Sequence, residues 1–158
     1  EMLSAEGNPY ESKLKAVEYF TSARIRHNEI FVPLLEIGID VVCDRYYHST
    51  FAFQHAQGIT YEEIVSKSKN VRIPDLTFII DVSAEEANTR LMKRDIKRRK
   101  FDSDIDFVNK VRQNYLELSS ILPLLMNDNS LFIINGMQSI EEVAKDIFKV
   151  YAARFDFL

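Results

Sequence analysis

The sequence predicts an α/β protein, a parallel sheet with helices on both faces in three α/β/α layers. Three observations carry this reading. Short apolar runs at 39–43, 76–82 and 131–134 are each bounded by turn or charged residues, the pattern of strands buried on both faces. Between them lie longer stretches of helical periodicity, so that strands and helices alternate along the chain. Several of those stretches open on a Ser or Thr followed three residues later by Glu, the spacing of a helix start.

The first helix is expected from 11 or 12 to 37, where Leu14, Val17, Phe20, Ile25, Val32 and Leu35 recur at helical spacing and Gly38 supplies the stop. Pro33 should kink this helix or open its last segment. The run 39–43 follows as a buried strand and stops on an acid and a base, Asp44 and Arg45. A helix is expected over 50–57. Thr60 and Glu63 form a capping box for a short helix to about 69. Pro74 precedes the second buried strand, 76–82, and Ser83 with Glu86 caps the helix after it.

That helix leads into K-R-D-I-K-R-R-K, 93–100, with six basic residues in eight. This is more cation than a helix dipole requires. The next helix, 104–118, carries the stripe Phe107, Val111, Tyr115 and Leu118, and Pro123 should end or break it. The third strand, 131–134, stops at Asn135-Gly136, and Ser139 with Glu142 caps a last helix to about 153. Three strands that all read as interior leave the sheet short of neighbours. With no internal repeat or low-complexity tract, the 158 residues are read as a single domain, 1–158.

Composition excludes several classes of function. A net charge of -4 argues against a nucleic-acid-coating surface. No apolar stretch is long enough to span a bilayer, and a cytoplasmic location is expected. The single cysteine, Cys43, lies in an apolar run and is expected as a small core residue in a reducing compartment, without a disulfide. His27, His48 and His55 have no spacing that suggests a metal site.

The chemistry converges on a nucleotide. Ligands of open α/β sheets sit beyond the carboxyl ends of the strands, where Asp44 and Arg45 are expected. A guanidinium and a cluster of cations suit phosphoryl oxygens. A single carboxylate suits a hydrated magnesium ion, which keeps most of its waters. Phe20 and Arg24 are four apart on one helical face, an aromatic platform beside a fork of donors.

The run D-R-Y-Y-H-S-T-F-A-F-Q, 44–54, resembles the D-R-[YFH]-x-x-S-x-x-A-[YF]-Q signature of thymidylate kinases. E-Y-F-T-S-A-R-I-R-H-N-E resembles the family's base-binding helix. P-D-L-T-F-I-I-D-V-S-A-E-E-A, 74–87, resembles its strand and following helix. K-R-R-K-F-D, V-R-Q-N-Y-L-E-L and I-N-G-M-Q-S-I-E-E-V follow in the family's order. The resemblance implies a P-loop kinase-like fold and transfer of the ATP γ-phosphoryl to dTMP, giving dTDP, with Mg2+. It implies that Arg45 holds the acceptor phosphate and that Asp44 works in the magnesium network through water. Phe20 would stack on thymine, Arg24 would bond its edge, Ser49 and Gln54 would line the base and sugar pocket, and Phe53 would crowd the sugar. Arg94, Lys97, Arg98, Arg99 and Lys100 would belong to a lid, about 93–103, over the ATP phosphates, with Arg94, Arg98 and Arg99 catalytic. A homodimer packed through the first long helix is also implied.

One departure is large. The sequence contains no G-x-x-x-x-G-K-[ST], and its four glycines could not build that loop. The expectation is that the family's first strand, P-loop and first helix lie upstream of Glu1, which would also supply the central strand the sheet needs. The alternatives are a catalytically inactive nucleotide-binding or dimerising fragment, or a related kinase acting on another nucleotide or deoxynucleoside.

Overall fold

Local capping chemistry sets most of the helix starts. In the computed structural model, which describes residues 13–93 and 104–155, Thr60 and Ser139 each form a full capping box, with Glu63 and Glu142. Ser83 and Asp104 accept the backbone N–H of Glu86 and Phe107. The elements in order are α1 (Lys13–Glu36), α2 (Tyr47–Ala56), α3 (Tyr61–Lys67), β1 (Thr77–Asp81), α4 (Ala84–Met92), α5 (Ile105–Met126), β2 (Leu131–Asn135) and α6 (Ile140–Arg154). The described chain is mostly helical, around one small parallel sheet.

The expectation that Pro123 ends or breaks its helix needs correction, and Pro33 does not open the last segment of α1. α1 continues unbroken past Pro33, and α5 runs past Pro123 to Met126. A proline removes one N–H, and neighbouring packing can hold the helix through it. What ends α1 is Gly38: at φ 80° it donates to Leu35 O while Ile39 donates to Leu34 O, each at 3.0 Å, the Schellman pattern. α5 ends instead on Asn127 in the left-handed region, φ 55°.

β1 and β2 pair in parallel, from Thr77 opposite Leu131 to Asp81 opposite Asn135. Gly136 follows immediately, and its N–H donates to Asp81 O at 2.7 Å. A Cβ there would come within 2.6–2.8 Å of Val82, Ile80 and the Asp81 carbonyl, so only glycine fits this crossing.

The run 39–43 is not a strand. It pairs with no strand among the described residues, and its side chains are exposed, Val42 at 97%. Cys43 is likewise exposed rather than in the core. An apolar run acquires strand structure only from a partner, and none is positioned beside it among the described residues. β1, also read as buried on both faces, has one side open: Ile80 is 42% exposed.

The core lies among the helices. Val17, Tyr47, Phe51, Ile59, Ile64, Val71, Leu118 and Leu122 form one cluster, joining α1, α2, α3 and α5. Ala52, Ala56, Phe107 and Val111 form a second between α2 and α5. Burying side chains of this size contributes about 1.5–3 kcal/mol each, which is why α2 is the fixed element of the fold. α2 begins at Tyr47, earlier than the sequence suggested, so its first turn directly follows Asp44 and Arg45.

Candidate functional site

Arg45 stands at the bend between the run 39–43 and α2, with φ 63°. A non-glycine residue in the left-handed region is uncommon and marks a position held by its surroundings. The Arg45 guanidinium lies over the Phe53 ring, 5.4 Å from its centroid. Phe53 is two turns along α2 and meets Tyr115 edge-on at 6.4 Å. Tyr115 in turn donates to Ser49 Oγ at 2.7 Å. Burial pushes the Tyr115 phenol above its ordinary pKa, while the bond to Ser49 and the charges of Arg45 and Arg24 pull the other way. Arg45, Phe53, Tyr115 and Ser49 therefore form a chain of contacts across α2 and α5. Asp44 is exposed beside them.

The second cluster stands on α1. The Arg24 guanidinium lies 5.6 Å from the Phe20 ring centroid and donates to Thr50 Oγ1 at 2.8 Å and to the Tyr46 carbonyl at 2.9 Å. Phe20 and Arg24 do share a face, as their spacing predicts. The fork of Arg24 is directed at α2 and ties α1 to its start. Gln54 is buried, 5% exposed.

A groove of about 800 Å³ runs along residues 40–46 on one side and β1 on the other. Tyr115 lines it. Of the predicted residues, Asp44, Arg45 and Ser49 likewise line the groove, while Phe20, Arg24, Phe53 and Gln54 lie outside its wall. Arg94, Lys97, Arg98, Arg99 and Lys100 lie outside the described residues.

At the carboxyl end of β1, Asp81 accepts a two-pronged bond from Arg112 of α5, Nε to Oδ1 at 2.6 Å and Nη2 to Oδ2 at 2.8 Å. The Arg112 fork holds the Asp81 carboxyl below its ordinary pKa and is itself raised by it. Arg112 lies one turn before Tyr115, so one face of α5 reaches both the end of β1 and the start of α2. From the sequence, Thr50 reads as one polar residue of the run after Arg45 suited to a flat, hydrogen-bonding ligand and Tyr115 as a stripe position of α5, and no site role falls to Asp81 or Arg112. The one available signal was the i, i+3 spacing of Arg112 and Tyr115, which places them together on a helix face.

A family model described as thymidylate kinase matches residues 1–147. The chain belongs to the thymidylate kinase family. A probable thymidylate kinase of Thermococcus kodakarensis is 33% identical over 129 residues, covering 81% of this chain and 60% of the relative. A probable thymidylate kinase of Sulfolobus acidocaldarius is 33% identical over 132 residues, 83% of this chain and 63% of the relative. One from Staphylothermus marinus is 28% identical over 151 residues, 95% and 72%. The chain thus spans about 60% of the length of the first two of these relatives. The mostly helical architecture around a parallel sheet is consistent with the family's P-loop kinase-like α/β fold. Among the described residues no helix is long and apolar enough to cross a membrane.

Proposed function

We propose that this chain carries the acceptor side of a thymidylate kinase, binding dTMP for transfer of the ATP γ-phosphoryl to give dTDP in the whole protein. The observation that carries the reading is the placement of Arg45: a residue with a strained backbone on the wall of a groove, with Phe53, Tyr115 and Ser49 around it. Arg45 would hold the acceptor phosphate through its fork. Phe20 would stack on thymine, and Arg24 would bond the base edge with the donor capacity it retains beyond Thr50 and Tyr46. Ser49 and Gln54 would line the base and sugar pocket and Phe53 would crowd the sugar. The 93–103 segment, with Arg94, Lys97, Arg98, Arg99 and Lys100, would neutralise the donor phosphates, and positioning with charge stabilisation would supply most of the rate.

Asp44 suits magnesium held through water. It is a single exposed carboxylate, and among the described residues no group of three or more His, Cys, Asp or Glu could cage a metal. Asp44 would hold such an ion through water, and the chemistry supplied there would be neutralisation of phosphate charge. The open flank of β1 and the unpaired run 39–43 border the same groove, and we place there the strand that would complete a three-layer parallel sheet. The exposed α1 side chains Leu14, Tyr19 and Ile30 support a homodimer through that helix.

Calorimetric titration of the chain with dTMP, dUMP, dCMP and dAMP tests the acceptor reading, and ADP release by the whole protein tests transfer. Preferential binding of dTMP is the expected result. A preference for the purine would overturn the roles given to Phe20 and Arg24, and binding without transfer by the whole protein would favour an inactive nucleotide-binding module.

A further inference from the structure

α2 opens without a side-chain cap of its own. Tyr46 occupies the N-cap in an extended conformation and makes no side-chain capping bond. The first two residues of the helix are gripped instead from across the fold. Tyr47 Oη donates to Asp128 Oδ2, and His48 Nε2 lies 3.1 Å from the same oxygen. The other carboxylate oxygen accepts the Ser130 backbone N–H at 2.9 Å. All of this is interior: Tyr47 and Asp128 are each 1% exposed and His48 is 3% exposed. The Tyr47 and His48 rings stack with centroids 4.2 Å apart, so neither can turn without displacing the other.

A buried carboxylate persists only where its oxygens are fully bonded. Burial by itself would push the Asp128 carboxyl up, but the bonds from His48, Tyr47 and Ser130 together outweigh it and hold the group well below the usual carboxylate range. Asp128 is therefore a charged anchor in the turn between α5 and β2, remote in sequence from the residues it holds.

Those residues adjoin the candidate site. Arg45, with its left-handed backbone, lies two positions before Tyr47, and Ser49 directly follows His48. The Tyr46 carbonyl between them is already held by Arg24 at 2.9 Å. A strained arginine stays in place when the backbone beside it is fixed, and Arg24 and Asp128 fix the residues that follow Arg45 at consecutive points.

We propose that Asp128 is a positioning residue, fixing the first turn of α2 so that Arg45 and Ser49 meet the acceptor phosphate and nucleoside in the required geometry. This rests on the acceptor-site reading for its role in binding, while the anchoring itself can be measured without ligand.

The test compares wild type, Asp128→Asn and the milder Tyr47→Phe, each on the full chain, by amide hydrogen exchange and by titration with dTMP and with thymidine. In Asp128→Asn the Ser49, Thr50 and Phe51 amides should exchange about tenfold faster while α3 and α6 amides keep their rates. dTMP affinity should fall about tenfold and thymidine affinity less, since the phosphate contact is what is displaced. Tyr47→Phe, which retains the carboxylate and His48, should give the same pattern at smaller amplitude. Exchange that accelerates equally throughout the chain, or dTMP binding unchanged in a folded variant, would overturn the positioning role. A wild-type chain that binds no dTMP would instead overturn the acceptor reading and with it the role in binding, while localised exchange in the variants would still establish the anchor.

Discussion

Arg24 Nη1 and Thr50 Oγ1 are 2.8 Å apart, joining the middle of α1 to the first turn of α2. This bond makes a structural duty of Arg24, holding α2, separable from its proposed one of offering its remaining donors to a base. Thr50→Val removes the bond and leaves the guanidinium with an unmet donor, so a loss of about 1–2 kcal/mol in urea denaturation is expected. Arg24→Ala should cost more stability than Thr50→Val, because the Tyr46 carbonyl also loses its partner. If Arg24 also reads the base, Arg24→Ala should weaken dTMP binding at least tenfold beyond Thr50→Val, about 1.4 kcal/mol. Equal losses of affinity in the two variants would assign Arg24 a structural role only.

The Asp81–Arg112 pair gives a pH dependence. The Arg112 fork lowers the Asp81 carboxyl below its ordinary value, so the folded state binds that proton more weakly than the unfolded chain. The pair's contribution is therefore complete above the ordinary aspartate range, about pH 4, and is lost as pH falls through the lower folded value. Both side chains are partly exposed, 38% and 22%, which limits the contribution to about 1 kcal/mol or less. Thermal midpoints of wild type and Asp81→Asn should differ at pH 7 and converge as the pH falls below 4. A difference that persists unchanged to pH 2 would remove the charge from the explanation.

Gly136→Ala tests the crossing after β2. The added methyl meets two β-branched side chains and a backbone carbonyl at 2.6–2.8 Å, neighbours that cannot swing aside. Overpacking of this kind costs about 1–3 kcal/mol, and urea denaturation should register it with the slope unchanged. Ser139→Ala, a few residues on, removes the α6 capping box and should cost about 1 kcal/mol by the same measurement. A neutral result at either position would mean that the junction between β2 and α6 relaxes freely.

Features that depend on a few neighbouring residues were readable from the sequence. Thr60 with Glu63, Ser83 with Glu86 and Ser139 with Glu142 start helices where their spacing places them, because a cap acts within one turn. Gly38 ends α1 for an equally local reason. The apolar run 39–43 was misread because strand structure is a property of a pair, and one member's hydrophobicity does not reveal whether the other is at hand. In the site, Phe20 with Arg24 and Asp44 with Arg45 could be noticed as close neighbours in sequence. Thr50, Tyr115, Arg112 and Asp128 could not, since each acquires its contact through folding across many residues. Tyr115 in particular reads as one more apolar stripe position on α5, and only its partner Ser49 distinguishes it.

Phe53 offers a test of the proposed selection of the nucleotide's sugar. Its ring touches three things at once: the Arg45 guanidinium at 5.4 Å, Tyr115 at 6.4 Å and Phe107 at 6.3 Å. Truncation to alanine should therefore act on stability through packing, by about 3–5 kcal/mol if fully felt, and on ligand choice through the space it opens. Phe53→Leu separates the two, keeping apolar bulk while removing the aromatic face under Arg45. A cation–π contact of this kind is worth about 0.5–1 kcal/mol where water reaches it, so a few-fold loss of dTMP affinity is expected in the leucine variant. If Phe53 crowds the sugar, the variant should also bind the ribonucleotide counterpart of dTMP better relative to dTMP than wild type does. The ratio of the two dissociation constants is the decisive readout, because a general loosening of the site weakens both ligands together and leaves the ratio where it was.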